Sequence, residues 1–168
     1  MATITPGTGG TIKAPTLEGQ IIEALVLARL TERDSTKNPQ NRNYIQCSTN
    51  LNTSTFTFNA SLPLEQTINP QGQVTYIVPD YFVGLTFNAG TGGTFKSSNI
   101  AAYIMEVITY AQNLEAITSK NPTGANNVNG TIDTDTTLFS CSGTLPITFS
   151  QNTLGDTILT ASKYLETL

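Results

Sequence analysis

The sequence predicts an α+β fold in which one strand-helix-strand-strand unit is used twice, with mainly antiparallel sheets and a pseudo-two-fold relation between the copies. Three observations predict it. Residues 7–13 read G-T-G-G-T-I-K and residues 90–96 read G-T-G-G-T-F-K. Each run is followed by a helical pattern and then by K-N-P, at 37–39 and again at 120–122. Each K-N-P precedes a Thr-rich stretch with strand alternation.

Gly7 and Gly90 lie 83 positions apart, and the same spacing aligns most of the remainder without a gap. It pairs Ile21 with Ile104, Glu23 with Glu106, Glu32 with Glu115 and Phe56 with Phe139. Leu62 and Pro63 fall on Leu145 and Pro146, Asn69 and Gly72 on Asn152 and Gly155, and Tyr81 on Tyr164. Identity is about a quarter, and it includes apolar, charged and proline positions as well as the abundant Thr, Asn and Gly. The units are residues 1–83 and 84–168. Each is marginal in size as an independent domain, so the two are expected to share one core.

The elements follow in order. Residues 1–14 form a Gly/Thr arm, with Thr3, Ile4 and Thr5 extended before a glycine turn; its internal match is 86–96. Pro15 suits a first helical turn, which predicts a first helix over 15–33. Leu17, Ile21, Leu25 and Ala28 give its apolar face. Ile22, Val26 and Leu30 widen that face and predict burial on two sides, leaving Glu18, Glu23, Arg29 and Glu32 as the wetter stripe. A second helix is expected over 97–118, capped by Ser97 or Ser98, with Ile100, Ile104, Val107, Ile108 and Ala111 facing inward. Both stop before K-N-P, because the residue preceding proline resists α geometry. Strands are expected at 44–51, 53–62, 73–78, 82–87, 131–135 and 137–149. Thr153 to Asp156 resembles a capping box, and Leu154, Ile158, Ala161 and Leu165 follow helical spacing, so a short C-terminal helix is expected.

Composition excludes several functions. A net charge of -4, with the basic residues scattered, argues against nucleic acid as a partner. The longest apolar run, 21–30, is too short to span a membrane and carries Glu23 and Arg29. The N-terminus lacks a charged region followed by an apolar one, so no signal peptide is expected, and the location expected is a virion or a cytoplasmic particle. The absence of histidine removes the usual general base and a common zinc ligand. Cys47 and Cys141 fall at unmatched positions and are expected to be reduced, partly buried thiols. The glycine runs lack the spacing of a phosphate-binding loop. No cofactor, metal or catalytic residue is expected.

Three sets of residues remain as candidates for chemistry. Asp133 and Asp135, two apart on a strand, could share a cation with Asn127 or Asn129, although a solvated strand face is the plainer reading. Glu23 and Glu106 lie within apolar helices and could be catalytic carboxylates, although a salt bridge, a polar contact across the repeat axis or plain exposure is the plainer reading. The six tyrosines could form a sugar platform, although, with no Trp, core and interface roles are the plainer reading.

The expectation is a non-enzymatic structural subunit of a phage-like particle or similar multi-subunit machine, such as a decoration, neck or tail component. It would be homo-oligomeric and in contact with other structural proteins. The alternative is a carbohydrate- or small-ligand-binding module without catalysis. Subunit contacts are expected at Thr8, Gly9, Gly10, Thr11, Ile12 and Lys13 in the arm, and at Gly92, Gly93 and Phe95. Ordering a free terminus costs about 1–2 kcal/mol per residue, so a neighbouring subunit is expected to supply the compensating contacts.

Overall fold

The structure, a computed structural model, describes residues 4–166. The fold is α+β, in the order α1 (Leu17–Glu32), β1 (Ile45–Asn50), β2 (Thr55–Pro63), β3 (Glu65–Ile68), β4 (Val74–Ile77), α2 (Ile100–Glu115), β5 (Val128–Asp133), β6 (Leu138–Gln151) and β7 (Thr157–Ala161). The main sheet runs β1-β2-β6-β5, and β7 pairs with the far end of β6. Strands β3 and β4 form a separate hairpin. The strand pairs are antiparallel.

Alternation decides the faces. Phe56, Phe58, Ala60 and Leu62 on β2 and Phe139, Cys141 and Leu145 on β6 are buried, while Thr57, Asn59, Ser142 and Thr144 between them are exposed. The two helices pack on each other and on the buried face, through Ile21, Leu25, Ile104 and Ile108, giving one core between two layers.

Elements recur at a spacing of 83. Helices α1 and α2 have 16 residues each, and β1 and β5 have 6 each. The central β2–β6 pairing is centred on Asn59 opposite Ser142, with Thr55 opposite Pro146 and Pro63 opposite Leu138 at its two ends. The non-glycine residues Ser54 and Thr137, at matched positions, hold φ values of 54° and 50°.

The helices are shorter than their patterns. Thr16, extended at φ -113°, caps α1 by accepting the Gly19 N–H at 3.0 Å. Pro15 therefore precedes the cap instead of opening the helix. Asn99, not Ser97 or Ser98, caps α2 by accepting the Ala102 N–H at 2.8 Å. K-N-P closes both helices through its asparagine. Asn38 Nδ2 donates to the Glu32 carbonyl at 2.8 Å, and Asn121 Nδ2 to the Glu115 carbonyl at 3.0 Å.

Several expectations are overturned. Among the described residues there is no C-terminal helix: 157–161 is β7, because Thr153 to Asp156 is a hairpin turn and not a capping box. Asn152 Oδ1 accepts the N–H groups of Leu154 and Asp156, and Gly155 sits at φ +85°. Residues 82–87 are not a strand; Phe82 turns into the core. Strand β3 escaped the sequence reading, and β5 begins three residues before its expected start at 131. Ile4 and Thr5 are not in a strand, and Thr3 lies outside the described residues. On α1, Glu18 and Glu32 are buried, whereas of the second apolar stripe Ile22 is half-buried against the core and Val26 and Leu30 are exposed.

Candidate functional site

The two glycine runs meet each other. Thr8 donates to the Thr91 carbonyl at 2.8 Å, and Thr91 donates to the Thr8 carbonyl at 3.0 Å. Thr11 N–H reaches the Asn88 carbonyl at 2.7 Å, and Thr94 N–H the Thr5 carbonyl at 3.0 Å. The approach leaves no room for side chains: a Cβ on Gly7 would lie 2.1 Å from the Ala89 carbonyl oxygen, and one on Gly90 would lie 2.5 Å from the Gly7 carbonyl carbon.

The arm is thus ordered by the chain's own second run. A neighbouring subunit was the expected source of the compensating contacts; these contacts come from within the chain. Ile4, Gly10, Ile12, Gly93 and Phe95 are buried within the chain. Phe95 stacks edge-on against Tyr103 and Tyr110. Of the expected contact residues, Thr8, Gly9, Lys13 and Gly92 remain exposed, and Thr11 is half-buried.

The helix carboxylates hold backbone. Glu23 Oε1 accepts the N–H groups of Lys13 and Ala14 at 3.0 and 2.9 Å; Glu106 Oε1 accepts those of Lys96 and Ser97, both at 3.1 Å. Each fixes the turn that leads into its helix. Glu32 accepts the N–H groups of Tyr44 and Ile45 and the Tyr81 hydroxyl, the last at 2.6 Å. Glu115 accepts those of Asn127 and Val128 and the Tyr164 hydroxyl. Burial raises the Glu32 carboxyl above its ordinary value, and the Tyr81 and backbone hydrogen bonds offset only part of that. Burial, and then the carboxylate it faces, push the Tyr81 and Tyr164 phenols well above the usual range. Glu18 Oε2 accepts the N–H groups of Tyr164 and Leu165, tying the C-terminal segment across α1.

Asp133 and Asp135 do not form a paired strand face. Asp133 ends β5, and its Oδ1 accepts the N–H groups of Asp135 and Thr136 in the following turn. Those bonds hold its carboxyl below the ordinary range. Asn50 makes the matching turn with Asn52 and Thr53. Among the described residues, no group of three or more His, Cys, Asp or Glu is placed to hold a metal ion. Both cysteines are free thiols; burial pushes Cys141 up to about 12 and also raises Cys47. No described helix is long and apolar enough to cross a membrane.

Two grooves open beside the helices. One, between β4 and α2, has a volume of about 640 Å³ and is walled by Tyr76, Met105, Glu106, Thr109, Tyr110 and Asn113. The other, between β7 and α1, has a volume of about 290 Å³, with Ile22, Glu23, Phe56, Ile147 and Leu159 among its lining. Tyr76 and Leu159, Met105 and Ile22, and Glu106 and Glu23 are matched positions. Sequence reasoning named Tyr76, Tyr110 and Glu106 separately but had no means of bringing them to one wall. Comparison with family models, curated proteins and solved structures gives no match, so geometry alone carries the functional argument.

Proposed function

We propose that the chain is an internally duplicated, non-enzymatic subunit of a multi-subunit assembly, a structural protein of a phage-like particle or similar machine. One observation carries this reading. Two hairpins, β3–β4 and the end of β6 with β7, stand off the shared core with apolar side chains in solvent. Leu154 at the second tip is 83% exposed and Ile68 on the first is 65% exposed, and Val74, Ile77, Ile158 and Leu159 are exposed with them. Isolated exposed apolar residues are ordinary, but two projecting hairpins that both carry them fit arms that pack on neighbouring copies and on other structural proteins.

The duplication is part of the proposal. It is supported by equivalent element lengths, by the reciprocal Thr8–Thr91 bridge and by carboxylate contacts that recur 83 positions apart. On this reading 1–83 and 84–168 are two units about a pseudo-two-fold axis, sharing one core. The exposed turn tip at Thr8, Gly9 and Gly92 offers a further point of subunit contact. Sedimentation velocity across a concentration series tests the assembly. A particle larger than the 18.0 kDa chain is expected, shifting toward monomer in Leu154→Asp and Ile68→Asp. A monomer at all concentrations, indifferent to both substitutions, removes the support for self-assembly.

A second reading, a carbohydrate- or small-ligand-binding module without catalysis, is favoured by the 640 Å³ groove, whose size falls in the range of small-molecule sites.

A further inference from the structure

We propose that the groove between β4 and α2 is a binding site for a small organic cation, an ammonium carried on an alkyl or aryl body. The proposal rests on the small-ligand reading above and adds the ligand's charge.

Charge complementarity is the first argument. Among the described residues, Glu106 is the one charged side chain in the lining of this groove, and no lysine or arginine side chain contributes to it. An anionic ligand would meet a carboxylate with nothing to balance it.

Unused acceptor capacity is the second. Glu106 Oε1 takes the N–H groups of Lys96 and Ser97 and the Ser97 hydroxyl, the last at 2.9 Å. Among the described residues, no hydrogen bond reaches Oε2. At the matched Glu23 both oxygens are engaged, Oε1 by Lys13 and Ala14 and Oε2 by the Lys13 N–H at 3.1 Å. The two carboxylates do the same structural task, and Glu106 does it with one oxygen to spare.

The walls are the third. Tyr76 and Tyr110 line the groove, and aromatic faces attract cations within about 6 Å of the ring centre. Met105 adds a deformable apolar surface for the ligand body. The matched residues in the first half, Leu159, Leu27 and Ile22, offer no ring face.

Calorimetric titration of the full chain with hexylammonium chloride, and with 1-hexanol as its uncharged comparator, tests the proposal. The ammonium is expected to bind at least about tenfold more tightly than the alcohol, the scale of one charge-assisted hydrogen bond. Glu106→Gln, which keeps an acceptor for Lys96 and Ser97, should abolish that preference. Tyr110→Leu, which installs the residue of the first half, should weaken ammonium binding about fivefold. Glu23→Gln should leave binding unchanged. Thermal melting of each variant separates a lost site from a lost fold. Equal binding of both probes, or a preference that survives Glu106→Gln in a folded protein, overturns the cation assignment and leaves the small-ligand reading standing. Binding of neither probe to the folded full chain overturns the cation assignment; a failure of monosaccharides and other uncharged probes as well overturns the small-ligand reading.

Discussion

The groove beside α2 and the groove beside α1 are built from residues 83 positions apart, yet one has a volume of about 640 Å³ and the other about 290 Å³. Their frames agree closely. Each has a capped helix start, a glutamate that clamps the preceding turn and a strand from a projecting hairpin. The difference lies in side chains that hold no backbone. Tyr110 and Asn113 on α2 stand where α1 has Leu27 and Leu30. At Glu23 and Glu106, Glu32 and Glu115, and Asn38 and Asn121 the two halves keep a side chain that satisfies backbone groups, whereas these groove walls, which meet solvent, differ. Losing a buried hydrogen-bond partner leaves a donor unsatisfied at about 1–3 kcal/mol, whereas an exposed exchange costs within about 0.5 kcal/mol.

The largest expected effect tests whether the shared core treats the halves alike. Phe56 and Phe139 are both 2% exposed and lie at matched positions on β2 and β6. Phe56→Ala and Phe139→Ala should each cost about 3–5 kcal/mol in urea unfolding, and should agree within about 1 kcal/mol. A loss under about 1 kcal/mol at either site would break the equivalence.

A smaller effect is expected at the glycine turns. Gly7→Ala drives a Cβ into the Ala89 carbonyl oxygen, and that backbone cannot move without parting the Thr8–Thr91 bridge. Overpacking of this kind costs about 1–3 kcal/mol. Gly9, two residues on, has open space around its Cβ position but φ +75°. Gly9→Ala should therefore cost only the left-handed strain, about 1–2 kcal/mol, and a D-alanine placed there by chemical synthesis should cost almost nothing. Equal losses for L- and D-alanine at Gly9 would contradict this division into contact and strain.

Much of this was legible in sequence, and the misses have physical causes. The ungapped register placed α1, α2, β1 and β2 within a few residues, because period and capping are local. Asn69-x-x-Gly72 and Asn152-x-x-Gly155, paired by the alignment, both make hairpin turns, yet the second falls within the expected C-terminal helix. Helical spacing of Leu154, Ile158 and Ala161 outweighed a turn signal carried by two residues. Glu18 could not be placed: the N–H groups it accepts come from Tyr164 and Leu165, 146 and 147 positions away. The sequence shows the arm's partner, the second glycine run, only as a copy and not as a contact, and so points to a neighbouring subunit instead. The groove beside α2 depends on how far hairpin β3–β4 stands from the helix, which no local pattern encodes.

The smallest expected effect is a pH slope from Glu32. Burial raises its carboxyl above the ordinary 4.5, in spite of the hydrogen bonds from Tyr81, Tyr44 and Ile45 and the nearby Arg29 charge. In the window that begins near 4.5 and ends at the raised folded value, the folded chain keeps a proton that the unfolded chain has released. Stability then falls as pH rises through that window, and the contribution is whole below it and gone above it. Asp34 and Asp133 act in the opposite sense. Hydrogen bonds from Thr36 to Asp34, and from the backbone of Thr136 and Asp135 to Asp133, hold both below the ordinary 3.8. Their contribution is present above that value and lost as pH falls, so the two windows lie on either side of about pH 4. Glu32→Gln has no proton to release and keeps an acceptor for the Tyr44 and Ile45 N–H groups. Melting temperatures measured from pH 4.5 to 7 should therefore decline less with rising pH in Glu32→Gln than in the unmodified protein, while the acid limb below pH 4 stays as it was. Parallel curves for Glu32→Gln and the unmodified protein would mean that the Tyr81 hydroxyl and the two backbone donors fully offset burial, leaving this carboxylate no different in folded and unfolded chains.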